Sequence, residues 1–590
     1  WAEVGEDGEV FVCASTQHPS EIQAMVAHVL DLPRHKVVVQ SPRMGGGFGG
    51  KETQGNTWAS LAALAAKKTG RPVRVQLDRD LDMSLTGKRH PFHAHYRAGF
   101  DTEGRLLAVA VELTSDGGWA LDLSESICDR ALFHLDNAYF IPSVDFVGRV
   151  AKTNAVSHTA FRGFGGPQGM VVIEEVIDRV ARNLGLRPET VRERNLYRGE
   201  GETATTHYGE LIPANRIPKI WSQLKTSAEF DARREAIAQW NATHARVKRG
   251  LAITPVKFGI SFTASWLNQA GAYVLMYRDG TVQVNHGGTE MGQGLHTKVL
   301  GVAMRELGLP SERVRVMKTQ TDKVPNTSAT AASAGADLNG AAVRAACETL
   351  RVRLAEVAAG MSGCAPEAVT FRDARVHPAA ESIEIERVCE LAYSKQVQLA
   401  ASGFYRTPGI HYDRVKGRGT PFYYYAFGAA VSEVEVDGYS GMKRVVRVDI
   451  LHDVGDSLNP GVDRGQIEGA FVQGVGWLTG EELKWDAAGR LSTHSASTYQ
   501  IPAVSDAPVD LRVELLGDAA QDGTIHGSKA VGEPPLMLAI SVREALRDAV
   551  AAFGEGGGDI ALASPATHEA IYKAVRDRLR EGAKAREAAA

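Results

Sequence analysis

The sequence predicts a mixed α/β protein built from two related halves, and three observations support this fold class. Segments with the alternating period of β-strands are interleaved with segments whose apolar residues recur at helical spacing. A succession of helix, Leu-x-Leu-Pro, strand and small-residue loop occurs twice, with the Leu-x-Leu-Pro at residues 30–33 and 307–310. The chain is 590 residues long, more than one hydrophobic core accommodates, so at least two domains are expected.

The repeat also suggests how the two halves are arranged. Each copy precedes a pair of valines at the same spacing in a predicted strand. Between the copies, residues 197–250 are polar and rich in Arg, Glu and Thr, as is typical of a domain junction. We therefore expect one domain over 1–235 and a second over 236–590, with a ligand held between equivalent loops.

Turn residues and periodicity locate the individual elements. Three hairpins are predicted around Asp-Gly or a similar turn, and they pair 92–96 with 106–113, 273–277 with 281–285, and 431–436 with 444–451. A strand is predicted at 36–40 and helices at 20–30, 52–68, 168–184, 340–358 and 536–550. Ser20 and Gln23 form a predicted capping box for the first helix.

The stretch 44–52, Met-Gly-Gly-Gly-Phe-Gly-Gly-Lys-Glu, nearly matches two nucleotide-binding motifs and satisfies neither. A P-loop needs Ser or Thr after its Lys to hold Mg²⁺, and Glu52 occupies that position, where a carboxylate would repel phosphate. A dinucleotide-binding motif needs an acidic residue about 20 positions further on, and Asp78 comes late for that role. What remains is a bare-backbone loop beside a carboxylate, which lets main-chain N–H groups approach a ligand closely.

Composition excludes several classes of protein. The formal charge is −4 with no broad basic field, which disfavours nucleic-acid binding, and no apolar run approaches membrane-spanning length. The five cysteines are widely spaced without Cys-x-x-Cys, which argues against a disulfide framework and against an iron–sulfur cluster in this chain. A reducing cytoplasm is expected.

The start at Trp1, without initiator Met or signal peptide, predicts a fragment that lacks an N-terminal part.

Several small-residue loops couple glycines to amide or charged side chains. Any one of them is a common tight turn, but the whole set favours a ligand site. Gln17, Gln168, Gln293 and Gln473 offer the mixed donors and acceptors that suit the edge of a flat heterocycle. The loops are 44–52, 160–168, 286–294, 469–476 and 527–535.

Together these loops closely resemble the large, molybdenum-binding subunit of the xanthine dehydrogenase and aldehyde oxidase family of molybdenum hydroxylases, from about residue 14 to 544. The resemblance implies two molybdopterin-binding domains of mixed sheets and helices with the cofactor between them. It implies hydroxylation of a substrate carbon with oxygen from water, at a molybdenum whose sulfur ligands come from the pterin dithiolene. A search for Cys or His ligand clusters would therefore miss this metal.

The family pattern also assigns cofactor positions. Gln17, Phe48, Arg162 and Ala332 are expected next to the metal. The full set expected to hold the cofactor is Gln17, Gly47, Phe48, Arg162, Gln293, Ala331, Ala332, Ser333 and Gln473.

The substrate positions point to a purine. Members that take xanthine resemble this chain in having Glu after Gly-Gly-Lys, here Glu52, and an Arg at the position of Arg130. Phe164 and Phe262, with Thr263 beside them, match the family's aromatic substrate sandwich. The resemblance thus implies hydroxylation of xanthine and hypoxanthine. An aldehyde or N-heterocycle oxidase of the same family, and a noncatalytic nucleotide-binding module, remain as alternatives.

Glu533 is the expected catalytic base. Two prolines follow it, so we expect an extended Glu533 at the positive end of the helix predicted over 536–550, which would favour its ionised form. Without the family resemblance, a simple helix cap would be the preferred interpretation. The resemblance further implies [2Fe–2S] clusters and FAD on partner chains or missing segments, and an assembly such as a dimer of heterodimers.

Overall fold

The computed structural model describes residues 1–199, 201–379, 381–554 and 558–589. Its strands are β1 (Ala2–Val4), β2 (Val10–Cys13), β3 (Val37–Ser41), β4 (Phe92–Phe100), β5 (Leu106–Gly118), β6 (Ser143–Lys152), β7 (Val247–Ile260), β8 (Gln269–Met276), β9 (Val282–His286), β10 (Val314–Val316), β11 (Thr319–Gln320), β12 (Val369–Arg372), β13 (Arg375–Pro378), β14 (Ile383–Glu384), β15 (Ala400–Arg406), β16 (His411–Asp413), β17 (Arg418–Thr420), β18 (Tyr424–Asp437), β19 (Lys443–His452) and β20 (Asp510–Leu515).

The α-helices lie between these strands and after them, which confirms the mixed α/β class. They are α1 (Pro19–Leu30), α2 (Asn56–Thr69), α3 (Arg79–Leu85), α4 (Ser124–Phe133), α5 (Gly166–Asn183), α6 (Pro188–Asn195), α7 (Ile217–Ser227), α8 (Phe230–Thr243), α9 (Leu295–Leu307), α10 (Gly335–Ser362), α11 (Ile385–Ser394), α12 (Pro460–Thr479), α13 (Ile540–Ala551) and α14 (His568–Ala589).

The repeated sequence folds twice into the same local unit. In the first copy α1 connects the parallel strands β2 and β3, and in the second α9 connects the parallel strands β9 and β10. In both copies the helix is followed by a left-handed residue, Asp31 or Gly308, and the chain then makes a 3₁₀ turn before the strand. β11, which follows the second unit, pairs with β3 of the first. This pairing brings the loops that follow the two units to the same region.

The sheet β20-β19-β18-β7 is buried on both faces and forms the centre of the molecule. Along β18, Ala426, Ala430 and Val434 pack into one core with α12 and α13. The intervening Phe427 and Val431 pack into a second core with α5 and α7. Because successive side chains of a strand alternate between faces, the first eight residues of β18 are aromatic or small and are buried on both faces, whereas Glu433 and Glu435 alternate with valines towards its end.

The predicted hairpins are confirmed, as β4 with β5, β8 with β9 and β18 with β19. The predicted capping box is wrong. α1 begins after His18 without a side-chain cap, and both polar side chains have tertiary partners instead. The Ser20 hydroxyl accepts a hydrogen bond from the Thr327 N–H (3.0 Å), and Gln23 Nε2 donates to the Val37 carbonyl (2.7 Å).

Two further expectations need correction. The helix predicted to begin at Glu52 begins at Asn56, because residues 48–55 form consecutive turns. Glu533 is helical (φ −106°, ψ −43°) rather than extended, and a 3₁₀ helix over Pro534–Ala539 separates it from α13. The end of a long helix therefore does not hold the Glu533 carboxylate.

The polar segment at 197–250 carries α7 and α8, which pack firmly on the rest of the protein. Ile220, Trp221 and Phe230 are buried in the core beneath the central sheet. The domain boundary between 235 and 236 stays a prediction. None of the helices within the described ranges is long and apolar enough to cross a membrane.

The core beneath α10 gives a test of the packing. Leu350→Ala removes a side chain without solvent exposure and should cost about 2–5 kcal/mol of folding free energy. Val352→Ala on the same helix, at a side chain that is 60% exposed, is the matched control and should cost less than about 0.5 kcal/mol. Thermal unfolding of both variants measures the difference. Equal losses would show that α10 is not packed as described.

Candidate active site

Loops from both halves of the chain meet around a cavity of about 1410 Å³. We name these loops after one residue each. The lining includes parts of the Gly45 loop (residues 44–52), the Arg162 loop (160–168), the Gln293 loop (286–294), the Ser333 loop (326–333) and the Glu533 loop (527–535).

The cavity collects most of the site residues predicted from the sequence. They are Gln17, Gly47, Phe48, Glu52, Arg162, Phe164, Gln293, Ala331, Ala332, Ser333, Gln473 and Glu533.

The Glu533 carboxylate is held by one group from each half of the chain. Its Oε1 accepts a hydrogen bond from the Gly163 N–H (3.1 Å), and its Oε2 accepts one from the Ser333 hydroxyl (2.8 Å). The expected base is thus fixed by a backbone N–H and a hydroxyl rather than by a helix dipole.

Arg162 is a buried cation that ties four parts of the site together. Its backbone N–H donates to the Phe48 carbonyl (2.7 Å), and its Nε donates to the Gly532 carbonyl (2.5 Å). Nη1 donates to Gln473 Oε1 (3.0 Å), and Nη2 lies 3.4 Å from the Gln466 carbonyl oxygen. Burial lowers the pKa of Arg162 to about 10, and the negative charge of Glu533 opposes that shift. At neutral pH Arg162 therefore remains a cation.

Gln17 joins the Gly45 loop to the Ser333 loop. Its Oε1 accepts from the Gly49 N–H (2.9 Å) and its Nε2 donates to the Thr330 carbonyl (3.0 Å). A Cβ on Gly47 would lie 2.7 Å from that Oε1, so the loop passes Gln17 only because residue 47 has no side chain. The loop leads into turns and not directly into α2, which disfavours a nucleotide-binding motif.

The Gln293 side chain shapes its own loop. Its Oε1 accepts from the Met291 N–H (2.7 Å), and its Nε2 donates to the Thr289 carbonyl (3.0 Å). In the Ser333 loop, Ala332 (φ 55°) and Ser333 (φ 57°) are both left-handed. This backbone presents main-chain atoms and the Ser333 hydroxyl to the cavity.

Glu52 is a carboxyl group without a hydrogen-bond partner on Oε2 within the described chain. Burial raises its pKa to about 8, and the charges of Glu21, Asp122 and Glu533 add to the shift. At neutral pH Glu52 is therefore mainly protonated and can donate a hydrogen bond, whereas the sequence analysis treated it as an ionised carboxylate.

Arg130, Phe262 and Thr263 do not line the cavity. Arg130 is buried behind it, where Nη1 donates to the Ser261 carbonyl (2.8 Å) and Nη2 to the Gly259 carbonyl (2.5 Å). Burial lowers its pKa, although Glu533 is close enough to oppose that shift. Phe262 is buried, with its N–H donating to Asn268 Oδ1 (2.8 Å), and Thr263 is partly exposed.

Sequence reasoning missed Gln466 and Arg89, which also line the cavity. Gln466 stands seven residues before Gln473 on α12, and that spacing of two helical turns could have indicated a shared face. Arg89 lies in a loop without a recognisable motif, and only the tertiary structure brings it to the site.

Glycines leave an open groove along the cavity wall. A Cβ built on Gly45, Gly292, Gly465 or Gly469 would meet no other atom within 4 Å, although all four residues line the cavity. The described residues also contain no group of three His, Cys, Asp or Glu side chains that could hold a metal ion. A flat organic group fits this groove and donor set.

Comparison with known proteins identifies such a group. Two family models, both described as molybdopterin cofactor-binding domain, match residues 1–196 and 223–508. The chain is 46% identical over 579 residues to a xanthine dehydrogenase/oxidase of Mus musculus, and 45% identical over 551 residues to a xanthine dehydrogenase of Dictyostelium discoideum. These alignments cover 97% and 93% of this chain but 42% and 39% of those relatives, so the chain spans about two fifths of their length.

Solved structures agree in fold. Quinoline 2-oxidoreductase from Pseudomonas putida 86 superposes with a TM-score of 0.86 at 26% identity, over 98% of this chain and 74% of that one. Aldehyde oxidoreductase from Desulfovibrio desulfuricans ATCC 27774 gives a TM-score of 0.83 at 24% identity, over 97% and 58% respectively, a likeness of fold alone.

The raised pKa of Glu52 predicts a pH-dependent stability. A carboxyl whose folded-state pKa is about 8 stabilises the fold below the unfolded value near 4.5, and this contribution is lost as pH rises through 8. Glu52→Gln should therefore gain stability relative to the wild type between pH 5 and 8.5, by at most about 1.4 kcal/mol per pH unit.

Thermal unfolding at several pH values measures this difference. Glu356→Gln, at an exposed position on α10, is the control and should follow the wild type. A Glu52→Gln variant that also follows the wild type would show that Glu52 is ionised in the folded protein.

Proposed function

Since the chain belongs to the molybdopterin cofactor-binding family, we propose that it is the molybdenum-binding part of an enzyme that hydroxylates xanthine and hypoxanthine. The observation that carries the proposal is the Glu533 carboxylate, which Gly163 and Ser333 hold in the wall of a deep cavity lined by both halves. The similarity to xanthine dehydrogenases over nearly all of this chain supports a purine substrate.

The cofactor would lie against the glycine groove. The residues proposed to hold it are Gln17, Gly47, Phe48, Arg162, Gln293, Ala331, Ala332, Ser333, Gln473 and, in addition, Gln466. When bound, the molybdenum–pterin group supplies the two-electron oxidation that converts a ring C–H into a hydroxyl, with oxygen from water. Arg162 and the bare backbone of the Gly45 loop would place positive charge and N–H groups beside it.

In the proposed mechanism Glu533 accepts the proton that the attacking water must lose. Gly163 and Ser333 each occupy one carboxylate oxygen, so they keep the second lone pair of each oxygen aimed at a defined point. A positioned general base of this kind contributes about 10²–10⁴-fold in rate.

Substrate recognition is proposed to use Glu52 and Phe164 directly. A protonated Glu52 donates a hydrogen bond to a ring nitrogen or carbonyl oxygen of the purine, and Phe164 offers its ring for stacking. Arg130 would act from behind the lining by its positive charge. Phe262 and Thr263 follow Ser261, whose carbonyl Arg130 binds, and are also proposed to contribute to substrate binding.

A second candidate is an aldehyde or other N-heterocycle oxidase. It is favoured by the commitment of both Arg130 Nη atoms to the carbonyls of Gly259 and Ser261, which leaves the guanidinium less free for a purine. The likeness to quinoline 2-oxidoreductase also supports it.

The electrons removed from the substrate need an acceptor. We propose a partner, or a further part of the same protein, that carries [2Fe–2S] clusters and FAD, since the relatives are more than twice as long as this chain. A dimer of such heterodimers in the cytoplasm is the proposed assembly. The free cysteines, three of them buried, are consistent with a reducing compartment.

Metal analysis and substrate turnover test the proposed function together. The purified enzyme should contain molybdenum and release a pterin on denaturation, and it should oxidise xanthine in preference to benzaldehyde. A protein without molybdenum and pterin would be a binding module. A protein that prefers benzaldehyde would be the second candidate.

The role of Glu533 gives a sharper prediction. Glu533→Gln keeps the shape but cannot accept the proton, so reduction of the enzyme by xanthine should slow by about 10²–10⁴-fold while reoxidation is unchanged. Stopped-flow absorbance separates these two half-reactions. Glu533→Ala should be equally slow and should retain molybdenum.

Glu482→Gln is the matched control, because Glu482 also lines the cavity and touches none of the proposed machinery. It should reduce at the wild-type rate. Near-normal reduction of Glu533→Gln would exclude Glu533 as the base.

Arg130→Met tests substrate choice. If the Arg130 charge stabilises negative charge that develops on the purine, xanthine turnover should fall by at least 10-fold more than benzaldehyde turnover, on the order expected for one lost electrostatic contact. Parallel losses on both substrates, with a lower unfolding temperature, would show that Arg130 only supports the carbonyls of Gly259 and Ser261.

A further inference from the structure

Arg89 is a cavity residue that the proposed mechanism does not use. It lies in the segment between α3 and β4, and its Nη2 donates a hydrogen bond to the Arg162 carbonyl (3.0 Å). Its Nε and Nη1 have no hydrogen-bond partner within the described chain and no contact with solvent. Two guanidinium nitrogens without hydrogen bonds and without solvent are costly, and the negative charge of Glu481 offsets only part of that cost, so the single hydrogen bond requires an explanation.

The hydrogen bond from Arg89 connects it to Glu533 through one peptide group. The carbonyl of Arg162 and the N–H of Gly163 belong to the same planar unit, and in a trans peptide they point in opposite directions. Arg89 binds the carbonyl end, and the N–H end donates to Glu533 Oε1 (3.1 Å). A cation therefore sits at the negative end of the peptide dipole and a carboxylate at its positive end.

Aromatic rings and backbone contacts fix the Arg89 guanidinium in this position. Its Cζ lies 4.2 Å from the centre of the Phe161 ring and 4.9 Å from that of Trp477. On either side of Arg89, the Lys88 carbonyl accepts from the Thr159 N–H (3.0 Å), and the His90 carbonyl accepts from Gln168 Nε2 (3.2 Å). The segment is thus hydrogen-bonded on both sides of the Arg162 loop, at Thr159 just before the loop and at Gln168, its last residue.

The Arg162 loop needs such support because Phe164, which is not a glycine, holds a left-handed backbone between two left-handed glycines. Gly163 (φ 94°), Phe164 (φ 50°) and Gly165 (φ 93°) are consecutive left-handed residues. Conformations of this kind persist only where the surroundings over-determine them. Without Arg89, the carbonyl of the peptide between Arg162 and Gly163 would lose the one hydrogen bond that it accepts within the described ranges.

We propose that Arg89 is a positioning residue for Glu533, and that it orients the carboxylate through the Arg162–Gly163 peptide group. The inference rests on the proposed function of Glu533 as the base. The guanidinium polarises the peptide, which makes the Gly163 N–H a stronger donor and holds Oε1 in place. Arg130, Arg162 and Glu52 also lie close enough for their charges to act on Glu533, but within the described chain none of them donates a hydrogen bond to the Arg162 carbonyl.

A double-mutant cycle in the holoenzyme tests the proposal, with Arg89→Met and Glu533→Gln singly and together. Arg89→Met should slow the limiting rate of reduction by xanthine about 10–100-fold, the loss expected when a reacting group is misplaced by roughly 1 Å. The dissociation constant for xanthine, obtained from the same stopped-flow data, should stay within about two-fold, because Arg89 makes no proposed substrate contact.

The cycle should be strongly non-additive. In the Glu533→Gln background, where no base remains to be positioned, Arg89→Met should cost less than about three-fold. Arg89→Lys keeps one charged donor for the carbonyl and should recover most of the rate. Lys88→Met, which removes the neighbouring cation that also lines the cavity, is the matched control and should leave the rate and the cycle unchanged.

The same four proteins give a second cycle from their thermal unfolding temperatures, a measurement that needs no turnover. Coupling between Arg89 and Glu533 in this cycle supports the proposal even if xanthine proves not to be the substrate. Additive losses in both cycles would overturn it and leave Arg89 as a support of the loop alone. If Arg89→Met does not fold, Arg89→Gln replaces it in both cycles.

Discussion

The Glu533 carboxylate and the Arg162 guanidinium are the two opposite charges on which the geometry of the site depends. Arg162 is buried, Glu533 is half-buried, and each is compensated by hydrogen bonds from distant parts of the chain. Gly163 and Ser333, which bind the carboxylate, are 370 and 200 residues away from Glu533 in sequence. Gly532, whose carbonyl accepts from Arg162, is 370 residues away from that arginine. Burying either charge alone would be costly, so the loops must close together around the pair.

Closure of the loops is achieved with a strained backbone. Phe48, Phe164, Ala332 and Ser333 are all left-handed although none is glycine, and all four line the cavity. Strained residues that cluster at one place indicate a functional site, because an unselected loop would relax. The hydrogen bonds of Gln17, Arg162 and Arg89 offset this strain, so the side chains that shape the loops also keep them rigid.

The scaffold explains why such loops stay in place. The central sheet is packed on both faces, and β11, which follows the second βαβ unit, pairs with β3 of the first. The loops that follow these units therefore start from rigid elements whose separation is set by backbone hydrogen bonds. The glycine groove runs between them, and helix α12 adds Gly465, Gln466 and Gly469 as its floor.

The sequence by itself determined the local features. The Leu-x-Leu-Pro repeat predicted two similar units, and both fold as βαβ, because periodicity and turn residues act over short distances. Asp-Gly turns located the hairpins, and the glycine-rich loops marked the region of the site. The family resemblance, read from those same loops, named most residues that the cavity brings together.

Only the tertiary structure determined which side chains and backbone groups contact one another. It gave Ser20 and Gln23 tertiary contacts in place of a capping box, turned Glu533 into a helical conformation and placed Arg130 behind the cavity wall. It also brought Arg89 to the peptide that faces Glu533. These outcomes depend on contacts between residues hundreds of positions apart, and no local propensity encodes which buried donor will meet which acceptor.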